Sequence, residues 1–173
     1  MKNRKSFLFA LMILIIVSCG SKSNYTKNTL NKDFYQSKTI YFTLNQKSKT
    51  TMDVKGGMPI LGGYKAPNVE EVFIKSIQEL SNETKIDLKY IKNPSTLSEN
   101  EILVDVEILE ITWKFGMSVA TLTTNVDYVL INQSKKMNSI GIRKSGGGSE
   151  SNNLRKSLKN ATYKFMQSFE NEH

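Results

Sequence analysis

Residues 102–115 read ILVDVEILEITWKF, a run rich in the residue types that favour β-strands. In its first half the apolar side chains stand at even positions, from Ile102 to Ile108, with acidic residues between them. In its second half the apolar positions are odd: Leu109, Ile111, Trp113 and Phe115. Alternation with a period of two is typical of a strand with one buried face. The run therefore predicts one long strand whose phase changes near its middle.

The phase change allows two interpretations. Strict alternation would send Trp113 and Phe115 to the face opposite the first half, as an exposed interaction patch. A β-bulge at Ile108–Leu109 would instead shift the register by one residue and keep both halves on one buried face. Exposing these large side chains together is costly in apolar area, which favours the bulge and a buried Trp113.

The residues that follow predict two more strands and a helix. Strands are expected at Val119–Asn132 and Met137–Lys144, joined by a turn at 133–136, so that three neighbouring strands form an antiparallel meander. The glycines in SGGGS, residues 145–149, indicate a flexible connection. A helix is expected from Ser151 to Phe169, because its apolar residues are spaced by three and four.

The residues before the long strand complete the predicted fold. KTIYFTLNQ, residues 38–46, alternates as a strand does, and Asn68 can cap a helix that runs through Leu80. Another short strand is expected at Ile86–Lys92. The order β-α-β-β-β-β-α predicts an α+β domain with a five-stranded, mostly antiparallel sheet and two helices packed on one face.

Residues 56–64, GGMPILGGY, fit neither a helix nor a central strand because glycine pairs bracket a short apolar stretch. The segment either folds back into the core or forms an exposed apolar tip that meets a membrane or a partner. Its apolar residues and the end of the long strand are our candidate interaction residues: Met58, Ile60, Leu61, Trp113 and Phe115.

The N-terminal residues have the features of a secretory signal. Three basic residues, Lys2, Arg4 and Lys5, precede eleven apolar ones at 7–17, which fits a secretory signal and is too short to span a bilayer. Cys19 is the only cysteine in the chain and follows directly. The stretch Ile16-Val17-Ser18-Cys19 resembles the lipobox of bacterial lipoproteins, and that resemblance implies lipidation of Cys19. The alternative is an ordinary cleaved signal with an incidental cysteine.

This interpretation divides the chain into a signal peptide at 1–18, a lipid-anchored flexible tether at 19–37 and a single domain at 38–173. Without the signal peptide, the chain has 21 basic and 16 acidic residues. We expect that surplus to lie on a solvated surface, although it also suits an anionic membrane. No basic–aromatic module for nucleic acid is present in the sequence.

The sequence does not predict an enzyme. His173, the single histidine, is the last residue, and Cys19 is assigned to lipid, so neither a nucleophile–histidine pair nor a zinc site is expected. Asp105 and Glu107 share one side of a strand, which is more typical of a solvated face than of an acid–base pair. The glycines at 146–148 precede a helix but lack the spacing of a phosphate loop. We expect no catalytic residue, metal or cofactor.

With a lipobox ahead of it, the order of elements is similar to that of a superfamily of envelope lipoprotein domains. The similarity is carried by VEEVFIKSIQEL (69–80), VDYVLINQSKKMNSIGI (126–142) and LRKSLKNATYKFMQSF (154–169). Its members include the curli-secretion lipoprotein, the N-terminal domain of the Tol–Pal propeller protein, lipoproteins that activate penicillin-binding proteins, and auxiliary lipoproteins of ABC transporters.

The resemblance implies a non-enzymatic scaffold or accessory subunit of an outer-membrane assembly, secretion or transport system. Its alternative is a periplasmic module that binds an apolar or lipid-like ligand. The implied location is the outer membrane on its periplasmic side. The implied partners are the membrane, through acyl chains, and other envelope proteins but no nucleic acid. Oligomeric state is left open.

Overall fold

The computed structural model describes residues 30–56, 65–94, 98 and 100–172. Four of the candidate residues lie outside these ranges: Cys19, Met58, Ile60 and Leu61. The described residues form an α+β fold, as predicted, with a mixed sheet.

The described chain contains three α-helices and six strands. In chain order they are α1 (Lys32–Tyr35), β1 (Thr39–Leu44), β2 (Asp53–Lys55), α2 (Val69–Thr84), β3 (Asp87–Tyr90), β4 (Glu101–Phe115), β5 (Ala120–Leu130), β6 (Lys135–Ser145) and α3 (Glu150–Asn171). A 3₁₀ turn at Ile131–Gln133 joins β5 to β6. None of the described helices is long and apolar enough to cross a bilayer.

The strand order is β3-β1-β4-β5-β6, and β2 extends the sheet beside the far end of β4. The meander β4-β5-β6 is antiparallel, as predicted. The other pairings are parallel: β1 with β3, β1 with β4, and β2 with β4. A strand–helix–strand connection through α2 leads to a parallel pair, which makes the sheet mixed. The predicted strands are all present, and β2 is an addition in a segment for which the sequence predicted no strand.

The predicted bulge is present in β4. Ile108 pairs with Val126, but the next pair is Glu110 with Asn125, so Leu109 is the extra residue. Leu109 is 41% exposed, whereas Ile111 and Trp113 beyond it are buried. The bulge therefore places both halves of β4 on the face that the helices cover.

Helix α2 begins where the sequence predicts. The Asn68 side chain accepts a hydrogen bond from the Glu71 backbone N–H at 3.1 Å, and the helix ends at Lys85 in a left-handed conformation. The apolar stripe is buried against the sheet and α3: Val69, Val72, Phe73, Ile77 and Leu80.

Helix α3 lies very close to β5 and β6 because the residues between them are small. The Ser139 hydroxyl donates to the Ala161 carbonyl at 3.0 Å, and the hydroxyls of Thr124 and Ser157 are 3.0 Å apart. A Cβ built on Gly141 would overlap the Ser157 backbone carbonyl, well inside the 3.0 Å limit of real contacts. The helix position therefore depends on glycine at 141.

Helices α2 and α3 are joined by a buried lysine. The Lys159 side chain is 3% exposed, and its ammonium lies 3.2 Å from Glu79 and 2.7 Å from Glu83. Arg155 also reaches Glu79, at 3.4 Å. Two carboxylates on α2 and two cations on α3 thus fix the packing of the two helices.

Replacing Lys159 by alanine is expected to lower the free energy of unfolding by about 1–3 kcal/mol, because packing and two ion pairs are lost while both carboxylates remain partly solvated. Lys75→Ala is the matched control, since Lys75 is exposed and pairs with Glu71 on the helix surface. Its expected cost is below about 0.5 kcal/mol. Urea denaturation of both variants measures the difference; equal costs would mean that Lys159 does not fix the helix pair.

Residues 31–35, which lie within the predicted tether, pack on the domain. The Tyr35 hydroxyl donates to the Met166 carbonyl at 2.6 Å, and the ring centroid of Phe34 lies 5.5 Å from that of Phe169. Asn31 caps the short helix α1, and its own backbone N–H donates to Glu170 at 2.8 Å. The described part of the predicted tether therefore contacts the domain through α1.

Candidate interaction surface

The structure brings the two predicted aromatic residues together at the far end of β4. The ring centroids of Trp113 and Phe115 are 4.5 Å apart. Trp113 is 4% exposed, and Phe115 is half-buried at the edge of the core. Trp113 pairs with Val54 on β2 and with Leu122 on β5, which explains its burial.

The indole of Trp113 carries an unsatisfied donor. Its Nε1 is buried and has no hydrogen-bond acceptor among the described residues. A buried N–H without an acceptor costs about 1–3 kcal/mol.

Gly56 ends β2 directly against Phe115. It has a φ of 101°, and a Cβ at this position would lie 2.5 Å from the Phe115 carbonyl oxygen. Only glycine fits both the backbone conformation and the space. The chain leaves the described ranges after Gly56, so the interaction role of Met58, Ile60 and Leu61 stays a prediction.

The hairpin between β4 and β5 adds exposed apolar side chains that the sequence did not single out. Met117 is fully exposed, and Val54 and Val119 are 43% and 45% exposed. We call Val54, Phe115, Met117 and Val119 the tip. Met117 lies between Gly116 and Ser118, a sequence context that is typical of a turn. Because turns lie at the surface, this context predicts that the Met117 side chain is exposed.

Away from the tip, a depression lies at the carboxyl ends of β1 and β3, with a volume of about 420 Å³. The Tyr90 hydroxyl donates to Glu70 at 2.8 Å, and Lys92 lies 3.7 Å from the same carboxylate. Burial, followed by this hydrogen bond, raises the pKa of Tyr90 to about 12. These three ionisable groups satisfy one another, so the depression offers no poised acid or base.

Asp105 and Glu107 lie on the sheet face opposite the helices, with their charges dispersed. Asp105 accepts a hydrogen bond from the Asn45 amide at 2.6 Å. Glu107 stands across from Asp127, which accepts from Asn138 at 2.7 Å and pairs with Lys136. Within the described ranges, no three His, Cys, Asp or Glu residues are arranged to hold a metal ion.

The glycine-rich connection before α3 turns its carbonyls toward a buried amide. The Asn153 Nδ2 donates to the carbonyls of Gly147 and Gly148 at 3.4 and 3.3 Å. Ser149 caps α3 by accepting from the Asn152 backbone N–H. This arrangement is a strand–helix connection stabilised from within.

No protein-family model matches the chain, and no curated protein sequence matches it. Among solved structures, a PelC dodecamer from Paraburkholderia phytofirmans is similar at 8% identity and a TM-score of 0.37, over 71% of this chain and 82% of that one. The hypothetical protein CT253 from Chlamydia trachomatis is similar at 14% identity and a TM-score of 0.34, over 76% and 92%.

A putative neuraminyllactose-binding hemagglutinin homolog from Helicobacter pylori is similar at 10% identity and a TM-score of 0.28, over 89% and 96% of the two chains. Scores at this level establish neither a family nor a function.

Fluorescence of Trp113 is expected to be blue-shifted and poorly quenched by acrylamide, because the indole is buried by the bulge in β4. The full chain contains one tryptophan, so its emission reports this position alone. A Trp113→Phe, Met117→Trp variant is the matched control, and its emission should be red-shifted and easily quenched. Red-shifted, readily quenched emission from the unaltered chain would contradict the buried placement.

Proposed function

We propose that the chain is a non-enzymatic, lipid-anchored envelope protein that acts as an accessory subunit of an outer-membrane assembly, secretion or transport system. The observation that carries the proposal is the sequence Ile16-Val17-Ser18-Cys19 after an apolar signal. In this account Cys19 receives acyl chains, and two or three chains anchor the protein stably. The mature protein faces the periplasm from the outer membrane.

The position of the first described residues supports an orientation for the anchored domain. β1 starts beside the first residue of β4, since Thr39 pairs with Glu101. The tip lies at the other end of that fifteen-residue strand, roughly 46 Å away by strand rise. From Cys19 to Leu30 the chain reaches at most about 40 Å when fully extended. In our proposal the anchor approaches the domain at the end opposite the tip, so that the tip is directed away from the anchoring membrane.

The tip is the surface that we propose contacts other envelope proteins. Its exposed side chains, Val54, Met117 and Val119, are apolar and lie beside the predicted Trp113–Phe115 pair. Apolar residues clustered at an exposed end are typical of interaction sites. This placement suits an accessory subunit that is held at the membrane and contacts partners beyond it.

A binding module for an apolar or lipid-like ligand is the second candidate. The observation that favours it is the buried Nε1 of Trp113, which lacks an acceptor among the described residues. A ligand with an ester or amide oxygen and an acyl chain would satisfy that donor within apolar surroundings. Native mass spectrometry of the protein purified from membranes tests this candidate. A non-covalent lipid retained by the unaltered chain and lost in Trp113→Phe would support it.

Replacing Cys19 by alanine is expected to abolish acyl labelling and to prevent maturation, because the thiol is the atom that receives the lipid. Metabolic labelling with an alkyne-bearing fatty acid, followed by membrane fractionation, measures both effects. Ser21→Ala, two residues beyond, is the matched control and should be labelled like the unaltered chain. Unchanged labelling and membrane retention of Cys19→Ala would contradict the proposal.

A further inference from the structure

The end of the sheet at the tip carries a row of lysines on the face opposite the helices. The cross-strand pairs of this row are Lys55–Lys114, Lys114–Thr121 and Thr121–Lys144. All three lysines are exposed, and no described carboxylate lies within 4.0 Å of their ammonium groups. Lys55 and Lys114 lie directly opposite each other on neighbouring strands, which costs stability because like charges repel. An external anion in contact with the row would offset that repulsion.

This end of the domain is basic on both faces of the sheet. We define it by three ranges: 54–56, 113–122 and 143–150. These residues hold four cations and one carboxylate. The fourth cation is Arg143, which lies in the same row as buried Trp113 on the face that the helices cover, and its buried Nε has no acceptor among the described residues. The one carboxylate is Glu150, the first residue of α3.

Acidic groups close to this end in sequence do not cancel its charge. Asp53, two residues before Lys55, forms an ion pair with Lys49 at 2.6 Å. Glu110 lies four residues before Lys114, roughly 13 Å back along β4 by strand rise. Residues 57–64, which follow β2 in the sequence, include no charged residue and so add no carboxylate.

The apolar side chains of the tip project beyond the row of lysines. Met117 and Ser118 are the central residues of the turn between β4 and β5, which is closed by a hydrogen bond from the Gly116 N–H to the Val119 carbonyl at 3.0 Å. Lys114 lies about 10 Å behind Met117 by strand rise. That spacing suits insertion into a bilayer surface, where apolar side chains reach about 5–10 Å into the boundary between headgroups and acyl chains. The lysines would then lie at the level of the phosphates.

We propose that the tip end docks on an anionic phospholipid bilayer. Met117 and Val119 enter the boundary between headgroups and acyl chains, and the three lysines contact lipid phosphates. This inference rests on the orientation proposed above, in which the anchor approaches the domain from the opposite end, and it adds a lipid surface to the protein contacts of the tip. The bilayer that the tip meets is therefore a second one, and the protein bridges two lipid surfaces.

The combination of lysines and a projecting apolar turn favours a bilayer over other anionic partners. Protein interfaces are depleted of lysine, whereas basic side chains beside apolar ones are typical of segments that lie on membranes. A nucleic acid would use the cations but not the projecting Met117 and Val119. The flexible stems of lysines let each ammonium reach a phosphate while the stem lies along apolar surface.

Clustering of two vesicle populations tests the proposal. The full chain, purified from membranes, is reconstituted through its anchor into phosphatidylcholine vesicles that carry a donor dye. Acceptor-labelled vesicles of phosphatidylcholine, with or without phosphatidylglycerol, are then added, and energy transfer is measured. The unaltered chain is expected to cluster the vesicles that contain phosphatidylglycerol but not those of phosphatidylcholine alone. Added salt should weaken the clustering, because it screens the lysines.

The lysine row is tested by the double variant Lys114→Glu, Lys144→Glu. It should raise the protein concentration needed for half-maximal clustering at least about tenfold. The variant is expected to fold, since Lys114→Glu replaces a like-charge pair with an opposite-charge pair across from Lys55. Lys47→Glu, Lys75→Glu is the matched control, because it makes an equal change of charge at exposed positions away from this end.

The apolar turn is tested by Met117→Ser, which should weaken clustering at least about fivefold. Met117 is fully exposed, so its substitution leaves the core unchanged. Ile131→Ser is the matched control, since Ile131 is 49% exposed in the 3₁₀ turn at the other end of β5. Circular dichroism checks that every variant is folded.

Flotation separates failure of the anchor from failure of the tip. If the unaltered chain does not float with phosphatidylcholine vesicles, the proposed lipid anchor is wrong, and flotation with phosphatidylglycerol vesicles then tests the tip by itself. The inference is overturned by equal clustering of both kinds of vesicle, by clustering of neither, or by a control variant that loses as much as its test variant. Unchanged clustering by the lysine variant or by Met117→Ser also overturns it.

Discussion

Phe165→Ala is expected to lower the free energy of unfolding by about 3–5 kcal/mol, since a buried aromatic side chain is deleted and a cavity remains. Phe165 is 1% exposed and stacks on Tyr128 at a centroid separation of 4.4 Å. It also meets Phe42 edge-on at 6.3 Å, so one ring joins α3 to β5 and to β1.

Chemical denaturation with urea measures this loss, with Ser168→Ala as the matched control. Ser168 is exposed on the same helix, and its substitution should change stability by less than about 0.5 kcal/mol. A loss below about 1 kcal/mol for Phe165→Ala would mean that α3 does not pack on the sheet as described.

Gly141→Ala is expected to destabilise the domain by about 3 kcal/mol, at the upper end of the range for overpacked cores. The added Cβ overlaps a backbone carbonyl, that of Ser157, and backbone yields less readily than the end of a side chain. α3 must move away from β6, which also stretches the hydrogen bond from Ser139 to the Ala161 carbonyl.

Gly147→Ala is the matched control, because a Cβ at that position meets nothing within 4 Å. Its expected effect is within about 0.5 kcal/mol of zero. If the two alanine variants unfold at the same urea concentration, the close approach of α3 to β6 is contradicted.

The bulge in β4 was predictable because its signal lies within one strand. The change of phase at Ile108–Leu109 predicts either a bulge or a two-faced strand, and the cost of exposing Trp113 decides between them. The structure confirms the bulge, with Leu109 as the unpaired residue. The start of α2 at Asn68 was predictable for a similar reason, since a capping residue and the helix that it starts are close in sequence.

Elements that depend on distant contacts were not predictable. α1 spans four residues, too few to be stable alone, and its Tyr35 is held by Met166, which is 131 residues away. β2 spans three residues and exists because it pairs with β4 from Thr112 to Lys114. Parallel pairing of β1 with β4 likewise depends on the order of strands in space, which local alternation does not encode.

The candidate site was only partly predictable, because part of it also depends on contacts between residues that are distant in sequence. Trp113 and Phe115 stand out as large aromatic residues at a strand end, but the exposure of Val54 and Met117 follows from the hairpin and from β2.

The mass of the mature N-terminal peptide tests the central claim most directly. Protein extracted from the membranes of the producing bacterium and digested with protease should yield a peptide that begins at Cys19. The account predicts that this peptide carries a diacylglyceryl group on sulfur and an acyl group on its amino nitrogen. A peptide that begins elsewhere, or one in which Cys19 bears a free thiol, would contradict it.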